Sequence, residues 1–262
     1  MNCFFTTADN EWFAPTDHCR GPWHVDYCHA GPPTGLIARA LEAIVTEQRL
    51  TRLTVNLTRP VPFSGFRLAA RIDRQGRTVT LSSAELIDQD NKTCVTASAL
   101  HMTEQPQHPL PTHRRVVLNP EDATTGLFPI QQLLHDQPAF NGSGVTVKYP
   151  QGHDHLPGPT IAWMKTVPLL DTETPSPFQR LCPLADCGNA FGRNADPTEV
   201  NFMNTDLTVL CHRDPVGDWL GTDAAGYWEP NSIGMSDAHL FDCNGSVGRA
   251  IQTLLLQPAR SR

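Results

Sequence analysis

Leu53-Thr54-Val55 recurs as Leu207-Thr208-Val209, Arg59 as Arg213, and Ala84-x-Leu86-x-Asp88 as Ala238-x-Leu240-x-Asp242, every pair 154 positions apart. No gap is needed to hold that register, so the chain reads as two copies of one unit rather than as a single large domain. Divided between two copies, 262 residues leave each with about 130, enough for a core of its own.

The two copies share a pattern of elements. In the first, Gly31-Pro32-Pro33-Thr34-Gly35 opens a segment with apolar residues at 36, 37, 40, 41 and 44, one face of a helix with proline in its first turn. Strand-like runs follow at 52–59, 66–73, 78–88 and 93–102, with turns at Arg74-Gln75-Gly76-Arg77 and Asp88-Gln89-Asp90-Asn91. In the second, Ser176-Pro177-Phe178-Gln179 has the form of an N-cap, a first-turn proline and a capping-box glutamine. The spacing predicts a helix from there to Arg193 with a kink near Pro183, then strands at 206–213, 219–228, 233–242 and 247–256 with Asn244-Gly245 as a hairpin turn. One helix followed by an antiparallel meander, twice over, is an α+β architecture in which a sheet curls around each helix. The expected boundaries are a first repeat over 1–103, a Pro-rich linker over 104–159 with nine prolines and one or two short elements of its own, and a second repeat over 160–262 that begins with a strand at 160–168.

Charged residues make up 18% and apolar residues 39% of the chain, a globular balance. A net charge of −7 and a pI near 5.8 argue against a nucleic-acid partner, and an anionic ligand would need a local arginine cluster. The first residues lack the cationic start and apolar run of a signal peptide, and no stretch has the ~18 apolar residues of a membrane span. Eight cysteines without a C-x-x-C pair fit reduced thiols in the cytoplasm. His24, Asp26, Cys28 and His29, and likewise His153-Asp154-His155, lack metal-site spacing and read as polar loops. G-x-S-x-G and phosphate-binding glycine loops are absent, so neither a serine hydrolase nor a metal or nucleotide cofactor is expected.

Gly31-x-x-x-Gly35, Arg74-x-Gly76-Arg77, Ala185-Asp186, Asp206-x-Thr208 with His212-Arg213, and Gln252 occur in an order and spacing that resemble the double-hotdog, acyl-CoA thioesterase II-like family. The resemblance spans nearly the whole chain and is weakest in the linker. It implies a single-chain pseudo-dimer of hotdogs, an acyl-CoA substrate, and a water held by Asp, Thr and Gln, which here fall on Asp186, Thr208 and Gln252. For the substrate, the glycine-opened helix start at Gly31 and Gly35 is the candidate oxyanion site, and Arg59, Arg74, Arg77 and Arg213 are candidate contacts for the phosphates of CoA. Pro32-Pro33 departs from the family pattern and removes two of the helix-start donors.

Strand alternation puts Gly248, Ala250, Gln252, Leu254 and Leu256 on one inward face, where an unpaired amide would cost about 1–3 kcal/mol. Gln252 therefore needs partners, and Asp186 and Thr208 are the ones at hand. Asp206, Thr208, Leu210 and His212 share a face. Asp186 within a wrapped helix would be desolvated and its basicity raised. Spacing alone leaves open a purely structural network of these three; the resemblance favours catalysis. At the 154 offset Asp186 falls on Pro32, Thr208 on Thr54 and Gln252 on Ser98, so only the second copy is expected to carry chemistry. Two other functions stay open: a catalytically inactive acyl-CoA or lipid binder, and a hotdog enoyl-CoA hydratase, although no Y-x-x-x-D-x-N-P-x-H segment is present. The exposed sheet edges leave room for a homo-oligomer.

Overall fold

The computed structural model describes residues 2–105, 118–131 and 135–259, so parts of the expected linker lie outside the described residues. Strands β1 (Phe5–Thr6) and β2 (Trp12–Pro15) precede helix α1 (Gly31–Ile44), which leads into β3 (Arg49–Leu57), β4 (Phe66–Arg74), β5 (Val79–Ile87) and β6 (Thr93–Met102). The chain continues through β7 (Thr124–Gly126), β8 (Val145–Tyr149) and β9 (Thr160–Thr166) to helices α2 (Pro177–Ala185) and α3 (Gly188–Phe191). It ends with β10 (Val200–Asn204), β11 (Asp206–Cys211), β12 (Leu220–Trp228), β13 (Ile233–Asp242) and β14 (Gly245–Pro258). The strands form one antiparallel sheet in the order β1-β2-β4-β5-β6-β3-β11-β14-β13-β12-β9-β8-β7, with β10 also beside β14. Each half curls around its own helix, the double hotdog. The segment expected to be a linker supplies β7 and β8, which lengthen the second half of the sheet beyond β9.

The halves join where β3 pairs with β11, and the repeat-mates Thr54 and Thr208 stand directly opposite, their hydroxyls 3.1 Å apart. Leu53 faces Val209 and Val55 faces Leu207, so a local two-fold axis passes through the threonine pair. Helices α1 and α2 cross beneath it. A Cβ on Gly31 would lie 2.9 Å from the Pro183 Cα, and one on Gly35 2.9 Å from the Leu169 side chain, so both glycines serve close packing of the two halves. Leu36, Ile37 and Leu41 of α1 and Phe178, Leu181 and Leu184 of α2 are buried in one continuous core, each contributing about 1.5–3 kcal/mol.

The constant offset fails at both ends of the repeat. Pro177 opens α2 146 positions after Gly31 opens α1, because β10 is inserted between helix and central strand in the second copy only. Asp186 therefore corresponds to Ala40 near the end of α1, and not to Pro32. Close by, Glu42 accepts hydrogen bonds from the Ser176 hydroxyl (2.8 and 2.9 Å) and from Gln179 Nε2 (2.6 Å) at the start of α2. The expected capping box is thus half formed: Ser176 accepts from the Gln179 N–H at 3.2 Å, while the Gln179 side chain turns to Glu42. At the other end the β13–β14 hairpin turns on Cys243 and Asn244 between Asp242 and Gly245, one residue tighter than the β5–β6 hairpin. Thr208 consequently faces Ile251 where Thr54 faces Ser98, and the counterpart of Gln252 is buried Ala99 rather than exposed Ser98.

Candidate active site

The second helix breaks where its chemistry sits. Pro183 offers no N–H to the Gln179 carbonyl, and three residues later the helix stops. The Asp186 N–H still reaches the Cys182 carbonyl at 3.2 Å, but the Cys187 N–H tightens onto Leu184 at 2.9 Å, and α3 begins anew at Gly188. Gln252, on the inward face of β14, holds this break together. Its Nε2 donates to the Asp186 carbonyl (3.1 Å) and to Asp186 Oδ1 (3.2 Å), and its Oε1 accepts the Asn189 N–H at 2.9 Å. The inward amide thus has the partners its burial demands, with the Asn189 N–H in place of Thr208.

Asp186 is 4% exposed, and among the described residues the groups that contact its carboxyl are two amides, a backbone N–H and an imidazole. Asn204 Nδ2 donates to Oδ1 at 2.8 Å, the Gly31 N–H points at the carboxyl, and His29 Nδ1 lies 3.1 Å from Oδ2. Burial pushes the carboxyl up to about 7, and the donors from Asn204, Gly31 and Gln252 hold it from rising further. Burial drives the His29 imidazole down to about 3, so near pH 7 the contact is a hydrogen bond to a neutral ring rather than an ion pair. The adjoining thiols of Cys182 and Cys187 are pushed far up by burial and stay protonated.

A cavity of about 530 Å³ opens onto this group. Asp186, His29, Asn189 and Asn204 supply its polar wall, and Trp23, Leu57, Val61, Phe128, Ile130 and Phe140 its apolar wall. These residues come from both copies and from the segment between them. Arg20 also lines the cavity, but its guanidinium is engaged by Asp17 (2.6 Å), the Val25 and Pro138 carbonyls (2.5 and 3.1 Å) and the Phe63 ring. Arg59 is exposed on the same cavity wall.

Several sequence expectations need correction. Thr208 lies on the opposite face of the sheet from Asp186: Leu207, Val209 and Cys211 point inward, and Thr208 hydrogen-bonds Thr54. The shared face of Asp206, Thr208 and Leu210 is real, but it is the outer one, as the apolar Leu207-x-Val209-x-Cys211 series in the same strand signals. Gly31 and Gly35 are not on the cavity wall, and the α1 start offers no oxyanion donors there: Pro32 and Pro33 have none, and the Gly31 N–H faces Asp186 and His29. Arg74 and Arg77 sit exposed in and beside the β4–β5 hairpin, away from the cavity. Arg213 forms a two-pronged pair with buried Asp242 at 2.6 and 2.7 Å. Burial works to raise that carboxyl, but Arg213 and the N–H groups of Val216 and Asn244 outweigh it and hold it low. Removing Arg213 strands the Asp242 charge, so Arg213→Ala should lower stability by about 3 kcal/mol in denaturant titration while leaving KM unchanged. The repeat-mates Arg59 and Asp88 form no such pair, which leaves Arg59 free to face the cavity mouth.

Two residues at the site escape the sequence reading. His29 reads there as one of several polar loop residues, and nothing in its local spacing marks it. Asn204 ends β10, an insertion relative to the first copy. Between β10 and β11 the pairing with β14 slips by one residue at Thr205, from Asn204 opposite Leu254 to Thr208 opposite Ile251, which turns Asn204 inward and Thr208 outward.

The fold and site together define a pseudo-dimer of hotdogs with one buried carboxyl at a mostly apolar cavity. The chain belongs to the acyl-CoA thioesterase family, the models of whose N-terminal and C-terminal domains match residues 19–102 and 120–256. Among solved structures it is similar to a protein of Novosphingobium aromaticivorans DSM 12444 whose thioesterase assignment is itself provisional, at 17% identity and TM-score 0.75, covering 97% of this chain and 98% of that one. It is also similar to a hot dog fold protein of unknown function from Alicyclobacillus acidocaldarius (15%, TM-score 0.67, covering 98% and 96%). A third is acyl-CoA thioesterase II TesB2 of Mycobacterium marinum (12%, TM-score 0.65, covering 98% and 96%). No curated protein matches the sequence.

Proposed function

We propose that this chain hydrolyses acyl-CoA thioesters at a single site built around Asp186. The observation that carries the reading is a carboxyl that burial brings to about 7, facing an apolar cavity of about 530 Å³ with only neutral donors around it. Such a group is half ionised near neutral pH and can accept a proton from a water beside it. The hydroxide so formed attacks the thioester carbon, and the sulfur leaves as a thiolate, an easy departure for a thiol of ordinary pKa near 8.5. Asn204 and Gln252 hold the carboxylate; Gln252 is absent from the cavity wall and acts through Asp186 rather than on the water. Arg59, exposed at the mouth, is our candidate for a phosphate of the carrier. Among the described residues no group of three His, Cys, Asp or Glu could hold a metal, and no helix is long and apolar enough to cross a membrane.

Thiol release from a panel of acyl-CoA substrates of graded chain length tests the reading. Release that survives EDTA supports metal-independent hydrolysis; tight binding without release would instead make the chain an acyl-CoA binder. Arg59→Ala should raise KM for acyl-CoA about tenfold and leave KM for the matching acyl-pantetheine, which lacks the nucleotide phosphates, unchanged. His29 facing Asp186 also favours a second reading, addition of water to an enoyl thioester. Loss of the enoyl chromophore without thiol release would select it.

A further inference from the structure

His29 enters the site from the first copy. Its backbone N–H is tied to the Cys19 carbonyl at 2.8 Å, and its ring lies flat on Phe140 from the connecting segment, centroids 4.0 Å apart at 14°. That stacking leaves one edge of the imidazole directed at the second copy, with Nδ1 3.1 Å from Asp186 Oδ2 and 3.2 Å from the Gly31 nitrogen. Nδ1 cannot donate to Asp186 and accept from Gly31 at once, so the two short distances describe two alternative hydrogen-bonding states.

We infer that His29 is the positioning residue of Asp186, a neutral imidazole that exchanges its tautomer with the protonation state of the carboxyl across the junction of the two copies. With Asp186 ionised, Nδ1–H donates to Oδ2 and the Gly31 N–H also faces the carboxylate. With Asp186 protonated, the imidazole proton resides on Nε2 and the single Nδ1 lone pair accepts, from Oδ2–H or from the Gly31 N–H. No net charge appears on the ring in either state, as its burial requires. The titratable groups facing the pair are Cys182 and Cys187, both protonated throughout the neutral range; Cys187 Sγ stands 3.9 Å from His29 Nε2. Among the described residues no Lys or Arg contacts the pair. The consequence is a carboxylate held in one rotamer when it must accept a proton, by a ring that cannot neutralise it.

This inference rests on the proposed hydrolysis only where rates are read; the tautomer is read without substrate. Nitrogen-15 NMR of the imidazoles in the full chain should show the His29 proton moving from Nε2 to Nδ1 as pH rises through about 7, with no cationic ring signal. A His29 tautomer fixed from pH 5.5 to 8.5, or a ring that protonates in that range, overturns the inference even if hydrolysis is confirmed. In activity assays His29→Leu should lower kcat at pH 7 about tenfold, leave KM within a factor of about two, and move the acid limb upward by about one pH unit. His29→Asn, whose amide can still donate to Oδ2, should recover most of the rate. An acid limb and kcat unchanged in His29→Leu would count against the positioning role. Absence of hydrolysis by the unmodified protein would count against the proposed function alone.

Discussion

Replacing Asp186 with Asn should remove roughly two to four orders of magnitude of kcat in thioester hydrolysis, because the amide keeps the volume but cannot accept the proton of the attacking water. The fold should survive it and gain. A carboxyl whose folded pKa is about 7 against an ordinary 3.8 binds its proton more tightly in the folded state, so its contribution to stability is full below pH 4 and is lost as pH rises to about 7. The loss is of the order of 4 kcal/mol, at 1.36 kcal/mol for each of about three pH units. The Asp186→Asn variant does not suffer it. Denaturant titrations above pH 7 should therefore find this variant at least as stable as the parent while it is nearly inactive. In the parent, kcat should rise with pH about a midpoint near 7. A variant retaining half the activity would point to a second working site, and Glu42 is where to look, since its raised carboxyl mirrors Asp186 at the start of the other helix. Glu42 is absent from the wall of the 530 Å³ cavity, and Glu42→Gln is expected to leave the rate unchanged.

Gln252→Ala should reduce turnover by about ten- to a thousandfold, the range seen when one positioning contact is lost. The mechanism is indirect. Three hydrogen bonds from this amide fix the interruption between α2 and α3, and with them the direction in which Asp186 projects. Their loss leaves the Asn189 N–H and the Asp186 carbonyl unpaired in the interior, which should cost a further 1–3 kcal/mol or so of stability. KM should change little, because Gln252 does not reach the cavity. A full rate at unchanged stability would show that the helix break holds its shape without it.

The threonine pair has the opposite standing. Thr54 and Thr208 mark the symmetry axis on the outer face of the sheet, so their importance to the repeat is structural, and the strongest repeat signal in the sequence lies on the wrong side for catalysis. The residues that replace Thr208 at the site, Asn204 and His29, sit where the two copies differ. One belongs to an inserted strand and the other to a loop with no counterpart of its own length in the second half. A repeat reports what the copies share, and this site is made from what they do not.

Periodicity is legible without coordinates: the eight strands of the two meanders, both helix starts, the α+β class and the inward setting of Gln252 all follow from alternation, helical spacing and turn residues. These are local properties, since the pleat and the helical turn determine which side chains share a face whatever the rest of the chain does. The partner across each face was decided only by tertiary structure. The helix offset of 146 rather than 154, the one-residue-tighter β13–β14 hairpin and the slip at Thr205 each change which residues meet, and a single-residue slip reverses the face. The 3.1 Å approach of His29 to Asp186 joins positions 157 residues apart through helix packing at Gly31, and no periodicity in the chain encodes it.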